Sequence, residues 1–313
     1  MEITTRIFTK QRLDEVSIYP YDAIYLGDPF APDYPGNLCF AHEDLEETAG
    51  ILKNAGKRVY VSTFSVPRNK DLAAIERQLK FIGDRSLPID AIEAHNTGVL
   101  SMIREILPGI PVHMGCLSNI YTDSTVNLLK EYGVTRVSPN HELSLDELEI
   151  VKDRCGVEVE ILVHGRMILG VSEECPAIWW NVEADSKENE EKPSQCTNII
   201  DLESERMNLT VRGRITMSGK DVCMMEHMPL LAEKGFGYFR IDDFVSEADY
   251  FNTAGKLYRQ ALELIKAPGP DKEEYDVKTR EYMDILSRFN SNGFCNGYYF
   301  KTSGSEYVKE VNA

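Results

Sequence analysis

The feature that most constrains this chain is a regular alternation of short apolar segments with amphipathic stretches of helical length. Residues 21–27, 58–63, 89–94, 111–114, 136–138, 157–163, 209–216 and 238–241 read as strands. Helical patterns lie between them. One runs over 42–55 and is closed by Gly56; the next has Leu72, Ile75, Leu79 and Ile82 at spacings of three and four. Others cover 98–107 and 124–132, the latter ending at Gly133, and a capping box, Ser144-Leu145-Asp146-Glu147, opens another. The last two fall near 221–234 and 246–266. Strands joined by helical crossovers run the same way, so eight of them predict an α/β fold, a (β/α)8 TIM-barrel-like domain. A doubly wound open sheet is the rival, and the Gly-x-Gly-x-x-Gly expected after its first strand is missing. The barrel is expected to span 1–266. Ala267-Pro268-Gly269-Pro270 breaks it, and 267–313 form a C-terminal helical tail packed on the barrel, with a helix near 273–288. The polar stretch 183–197 reads as an exposed loop.

Charge narrows the partners. Among 313 residues, 34 Lys+Arg against 51 Asp+Glu leave a formal net charge of −17. Such a surface repels phosphate backbones, which argues against nucleic acid as a partner. No run of about 18 apolar residues is present to span a membrane, and the first residues lack the pattern of a secretion signal. The expectation is a cytoplasmic protein.

An odd count of seven cysteines argues against a disulfide framework in such a compartment. Barrel chemistry gathers on the loops after the strand C-termini. Cys39, Cys175, Cys196 and Cys223 can all reach that rim, with Cys116 as a rival. Cys155 belongs to the opposite face and Cys295 to the tail. Four converging thiolates suit an iron–sulfur cluster or a structural zinc; buried inert thiols are the alternative.

In the strand at 157–163, alternation puts Glu158, Glu160, Leu162 and His164 on one face, toward the barrel interior. Glu93 with His95, His113, and Arg240 with Asp242 take comparable strand-end positions. These groups can ligate, carry protons or hold an anion; an ion-pair network filling the lumen is the plainer reading. Ser218-Gly219-Lys220 could seat an anion at a helix N-terminus or simply form a turn, and Trp179-Trp180 could shield a cluster or belong to the core.

Several motifs together resemble the collagenase-like peptidase family, the U-class peptidases, and within it the UbiU/UbiV-like iron–sulfur branch. They are Leu162-Val163-His164-Gly165, Cys175 eleven positions after that histidine, Gln195-Cys196-Thr197-Asn198, and the run from Met217 to Cys223. The Asn140-His141-Glu142-Leu143 segment, Tyr25-Leu26-Gly27 and the terminal Cys295-Asn296-Gly297-Tyr298 extend the resemblance over nearly the whole chain. It implies a 4Fe–4S cluster and oxygen-independent hydroxylation of an aromatic or quinone-precursor small molecule. It also implies assembly with a homologous subunit, as a heterodimer or a homodimer. Cys175, Cys196 and Cys223 match ligand positions. Where part of the branch has a cysteine four residues after His164 this chain has Ile168. Other members draw a ligand from just after the first strand, where Cys39 lies here in a longer loop. The resemblance therefore implies Cys39 as the fourth ligand, with a cluster on three thiolates and an open iron site as the alternative. On the same reading His164, Glu160 and Arg240 line the substrate side. A peptidase, or a non-catalytic partner subunit with a structural cluster, are the alternatives.

Overall fold

The barrel starts at the second residue. In the computed structural model, which describes residues 1–27, 42–172, 199–203, 208–242, 247–269 and 271–309, strand β1 is Glu2–Ile7. It is followed by α1 (Lys10–Glu15), β2 (Ala23–Leu26), α2 (His42–Asn54), β3 (Arg58–Ser62), α3 (Asn69–Asp84), β4 (Ala91–Ala94), α4 (Thr97–Ile106) and β5 (Val112–Met114). Then come α5 (Asp123–Glu131), β6 (Val134–Val137), α6 (Leu145–Cys155) and β7 (Glu158–Val171). The chain continues through β8 (Ile199–Glu203), β9 (Asn208–Arg212), β10 (Ile215–Cys223), α7 (Met228–Glu233), β11 (Tyr238–Ile241), α8 (Ala248–Lys266), α9 (Lys272–Ser287) and β12 (Phe294–Cys295).

Strands β1 to β7 pair in sequence order, every neighbour parallel, and β11 closes the ring by pairing with both β7 and β1. This is a closed eight-stranded parallel β/α barrel, the expected fold. Its membership differs from expectation at two strands. Segment 209–216 contributes β9 and the start of β10, antiparallel strands outside the ring, and β1 takes the vacant place. The reason lies in side-chain alternation. Ile3 and Ile7 pack in the apolar shell, while Glu2, Thr4 and Arg6 bond lumen groups and are equally buried. A strand whose inner face is charged does not read as an apolar run.

Strand β7 outlasts the ring. From His164 onward it pairs antiparallel with β10, at Cys223↔His164, Val222↔Gly165 and Met217↔Ile168, and β9 and β8 extend that sheet. The helix expected near 221–234 therefore begins only at Met228. Ser218-Gly219-Lys220 lies within β10, where Ser218 Oγ accepts the Met167 N–H at 2.9 Å. The helix-N-terminus anion site is corrected accordingly: there is no helix end there, because the segment stays extended to pair with β7.

Local signals hold elsewhere. Glu147 accepts from the Ser144 N–H at 2.8 Å and from its hydroxyl at 2.6 Å, which starts α6, and Gly156 ends it at φ +61°. The C-terminal residues reach the barrel through specific bonds. Tyr299 Oη donates to Leu162 O at 2.7 Å, Leu145 N to Tyr299 O at 3.0 Å, and Asn296 Nδ2 to Cys223 O at 3.1 Å. Among the described residues no helix is long and apolar enough to cross a membrane.

Candidate functional site

The barrel's interior is a stack of buried charges. Near its N-terminal end Arg136 bonds Glu2 Oε1 at 2.9 Å and Glu158 Oε2 at 2.7 Å, its guanidinium 4.3 Å from the Tyr238 ring centroid. Above it Glu160 accepts from Thr4 Oγ1 at 2.7 Å, from Ser138 Oγ at 3.0 Å and from Arg240 Nε at 2.9 Å. Tyr25 Oη bonds His113 Nδ1 at 2.7 Å, and Arg240 stacks 3.9 Å from the Tyr25 ring centroid. At the C-terminal end Glu93 holds both Arg6 (2.8 Å) and Arg240 (3.2 Å), and Ser62 also donates to it. Burial would raise the Glu160 carboxyl, but Arg240 and Arg136 outweigh it and hold it down to about 2. Burial likewise opposes ionisation of Glu93, yet Arg6, Arg240 and His95 keep it well below the usual carboxylate range. Glu160 and Arg240, both expected to serve the chemistry, are thus one ion pair in the floor of the site.

Over this floor lies a cavity lined by Arg6, Glu93, His95, Cys116, Ser138, His141, Glu160, Leu162, Ile168, Arg240 and Asp242. It joins most of the strand-end residues singled out in the sequence. Two glycines shape it. A Cβ on Gly115 would sit 2.0 Å from His95 Cε1, so that imidazole lies flat on bare backbone; a Cβ on Gly165 would sit 2.1 Å from Asp242 O. Several polar atoms here are buried without a hydrogen-bond partner among the described residues: His95 Nδ1, His141 Nδ1, Asp242 Oδ1 and Arg6 Nε. Burial pushes the His141 imidazole down to about 4, with Arg240 adding to it, so this ring is neutral. Burial also outweighs Arg240 and Arg6 at Asp242 and raises its carboxyl. The side chains with hydrogen-bonding atoms open to a bound molecule are therefore His95, His141 and Asp242, while the Glu–Arg pairs fix their frame.

His164 is elsewhere. The pairing of β7 with β11 slips by one residue, from Arg240↔Leu162 to Ile241↔His164, and Gly165 follows at φ +113°. That bulge reverses the alternation, so Leu162 still faces the cavity while His164 turns to the helices outside. Its Nε2 is 2.9 Å from Tyr250 Oη, and Tyr250 donates to Asp221 Oδ2 at 2.8 Å. Since the phenol proton goes to the carboxylate, Tyr250 accepts from the His164 Nε2–H, and His164 Nδ1 has no partner among the described residues. Burial lowers this imidazole to about 4. The inward orientation expected for His164 is corrected by the bulge.

Of the cysteines assigned to a cluster, Cys39, Cys175 and Cys196 lie outside the described residues, as do Trp179, Trp180 and the stretch 183–197. Cys223 is buried beside His164, its Sγ 3.6 Å from Tyr258 Oη and 3.4 Å from Met283 Sδ, and burial pushes its thiol up to about 12. It also receives the Met225 N–H. Tyr258 Oη donates its proton to Val163 O at 2.6 Å, so the thiol donates to Tyr258 and the Met225 N–H is the donor aimed at this sulfur. Cys116 instead lines the mouth cavity together with Ile168. Among the described residues no group of three or more His, Cys, Asp or Glu is arranged around a metal-sized centre.

The sequence missed Arg6 and Ser138 as site residues, and it noted His141 only within a motif. The period-two pattern Glu2-Thr4-Arg6 against Ile3-Thr5-Ile7 was the available signal for the first.

Fold and site together define a closed parallel β/α barrel with a charge-paired lumen and a polar mouth. Within that class the chain belongs to peptidase family U32, whose pattern matches residues 9–309. It is 26% identical over 307 residues to the uncharacterized protease MJ0090 of Methanocaldococcus jannaschii, covering 94% of this chain and 73% of that one. It is 24% identical over 277 residues to tRNA hydroxylation protein P2 of Bacillus subtilis, covering 84% of this chain and 85% of that one. A third relative, tRNA hydroxylation protein P of Escherichia coli, is 32% identical over 158 residues, half of this chain and 34% of that protein.

Proposed function

We propose that this protein acts in the oxygen-independent hydroxylation of a planar aromatic ring, as one subunit of a pair of related chains or of a homodimer. A 4Fe–4S cluster held by Cys39, Cys175, Cys196 and Cys223 would supply electron transfer there. The observation that carries this reading is the mouth cavity. In sequence Cys175 follows Ser172, which ends the β7 extension whose Ile168 forms part of the cavity wall. Glu160 and Arg240 form the cavity floor, and His95, His141 and Asp242 hold a polar substituent of the ring above it. His164, outside the barrel, positions β7 beside Cys223. The names of the B. subtilis and E. coli relatives support hydroxylation as the reaction type. The acidic charge of −17 favours a small aromatic molecule, a quinone precursor, over free RNA.

A peptidase reading finds little support in this cavity. A cysteine nucleophile works as a thiolate. Burial, with Glu93 and Asp242 adding to it, pushes the Cys116 thiol up to about 12.

Anaerobic purification tests the proposal. The expected result is brown protein with iron and sulfide at about four each per chain, and loss of a hydroxylated product from cells lacking the protein. That product is sought by mass spectrometry in both the RNA and the small-molecule pools. Colourless protein holding one zinc overturns the cluster, and a missing hydroxylation confined to tRNA overturns the small-molecule substrate.

A further inference from the structure

The unpartnered polar atoms of the mouth belong to residues that line one cavity. His95 is 5% exposed, Asp242 7% and Arg6 4%, and none of His95 Nδ1, His141 Nδ1, Asp242 Oδ1 and Arg6 Nε has a hydrogen bond among the described residues. All four residues line the same cavity. Arg6 Nε and Asp242 Oδ1 are 4.0 Å apart, and His95 Nε2 lies 3.4 Å from Glu93 Oε2. The cavity is small, with a volume of about 20 Å³ open to the centre of a water molecule. A buried water needs roughly 10–15 Å³ of such space and two to four polar partners. Both conditions are met here.

The charge balance decides what else can sit there. Arg6 is matched by Glu93, and Arg240 by Glu93 and Glu160. Among the described residues neither guanidinium lining the cavity is left for an anion, and Asp242 Oδ1 already lies 4.0 Å from Arg6 and 3.9 Å from Arg240. The two imidazoles can each donate or accept according to tautomer.

We propose that the barrel mouth is a seat for one uncharged oxygen, bound between His95, His141 and Asp242. Water fills it in the free protein, and a neutral hydroxyl or carbonyl oxygen of the substrate replaces that water. The second half rests on the hydroxylation reading above, and it adds a selection rule: the substrate enters with a neutral polar substituent first, not with a carboxylate or phosphate. Gly115 belongs to the seat, because any side chain there would push the His95 ring out of it.

Crystals of the full chain, purified anaerobically, are soaked separately in sodium bromide, phenol and benzoate, and a native crystal is kept for comparison. The expected result is an ordered water within hydrogen-bond distance of His95 Nδ1 and of His141 Nδ1 or Asp242 Oδ1. Bromide and benzoate leave it in place, and the phenol hydroxyl replaces it. An empty seat, a bromide anomalous peak in it, a benzoate carboxylate in it, or water undisturbed by phenol overturns the proposal. His95→Phe keeps a ring of similar shape and should lose the water; His141→Phe serves if that variant fails to fold, and full occupancy in the folded variant also overturns it. Iron content is measured on the same preparation, so failure of the cluster and failure of the seat are read separately.

Discussion

At the scale of single residues, this barrel is organised by buried charges that cannot be removed one at a time. Glu160 takes hydrogen bonds from Thr4, Ser138 and Arg240 and faces Arg136 as well. Replacing it by Gln leaves two guanidiniums short of their counter-charge, and breaking such a pair from one side costs about 3–5 kcal/mol. The Glu160→Gln variant should show that loss in urea unfolding at pH 7. The pH dependence follows from the depressed carboxyl, about 2 against an ordinary 4.5. Its stabilisation is fully present above the unfolded value and is lost as pH falls through the folded one. Wild type and variant should therefore converge in stability between about pH 4.5 and 2. Gly115→Ala is expected to cost about 1–3 kcal/mol, as overpacked sites do, and to shift the His95 side-chain resonances, which a change in distant packing would leave alone.

At the scale of elements, β7 is the piece on which the site depends. It serves the barrel as far as Val163 and then a second, antiparallel sheet. The change of role requires the bulge and a residue at φ +113° with backbone 2.1 Å from any Cβ. Gly165→Ala should destabilise by at least about 1–3 kcal/mol, the strain of a non-glycine residue in that region, measured as a lower urea midpoint. A milder change makes a control: Ser144→Ala removes one half of a capping box and should cost about 0.5–2 kcal/mol without moving the mouth. The bulge also explains an error in reading the strand from sequence. Period-two alternation predicted Glu160 in the lumen correctly and then, carried four residues further, put His164 there too. A one-residue slip reverses every side chain beyond it, and a single glycine after a histidine does not announce one.

At the scale of the whole molecule, imidazoles that burial keeps neutral set the behaviour in acid. Burial lowers His113 to about 3 and His141 and His164 to about 4. In the unfolded chain each takes a proton near pH 6.5, which the folded protein refuses. Stability should therefore be full above about pH 6.5 and decline steadily toward pH 4, measured as urea midpoints across that range; His113→Gln should flatten the decline. The C-terminal residues are tied to the same body, through Tyr299 to Leu162, Asn296 to Cys223 and Tyr275 to Met225 O at 2.6 Å. A chain ending at Ala267 should fail to give a soluble, cooperatively unfolding barrel, as judged by its circular-dichroism melt.

What the sequence by itself determined was the class of architecture. Amphipathic helices between short strands leave parallel pairing as the outcome, and that pattern is local, carried by residues three, four or two apart. Glu93, His95, Glu160, Arg240 and Asp242 were legible as strand-end groups for the same reason. Which strand completes the ring, which way His164 faces, and which polar atoms meet at the mouth were decided only by tertiary structure. Barrel closure places β1 against β11, more than two hundred residues away in the chain, and supplies each inward charge with its opposite. Until Arg6 and Glu2 meet partners from other strands, they are indistinguishable from residues that face water.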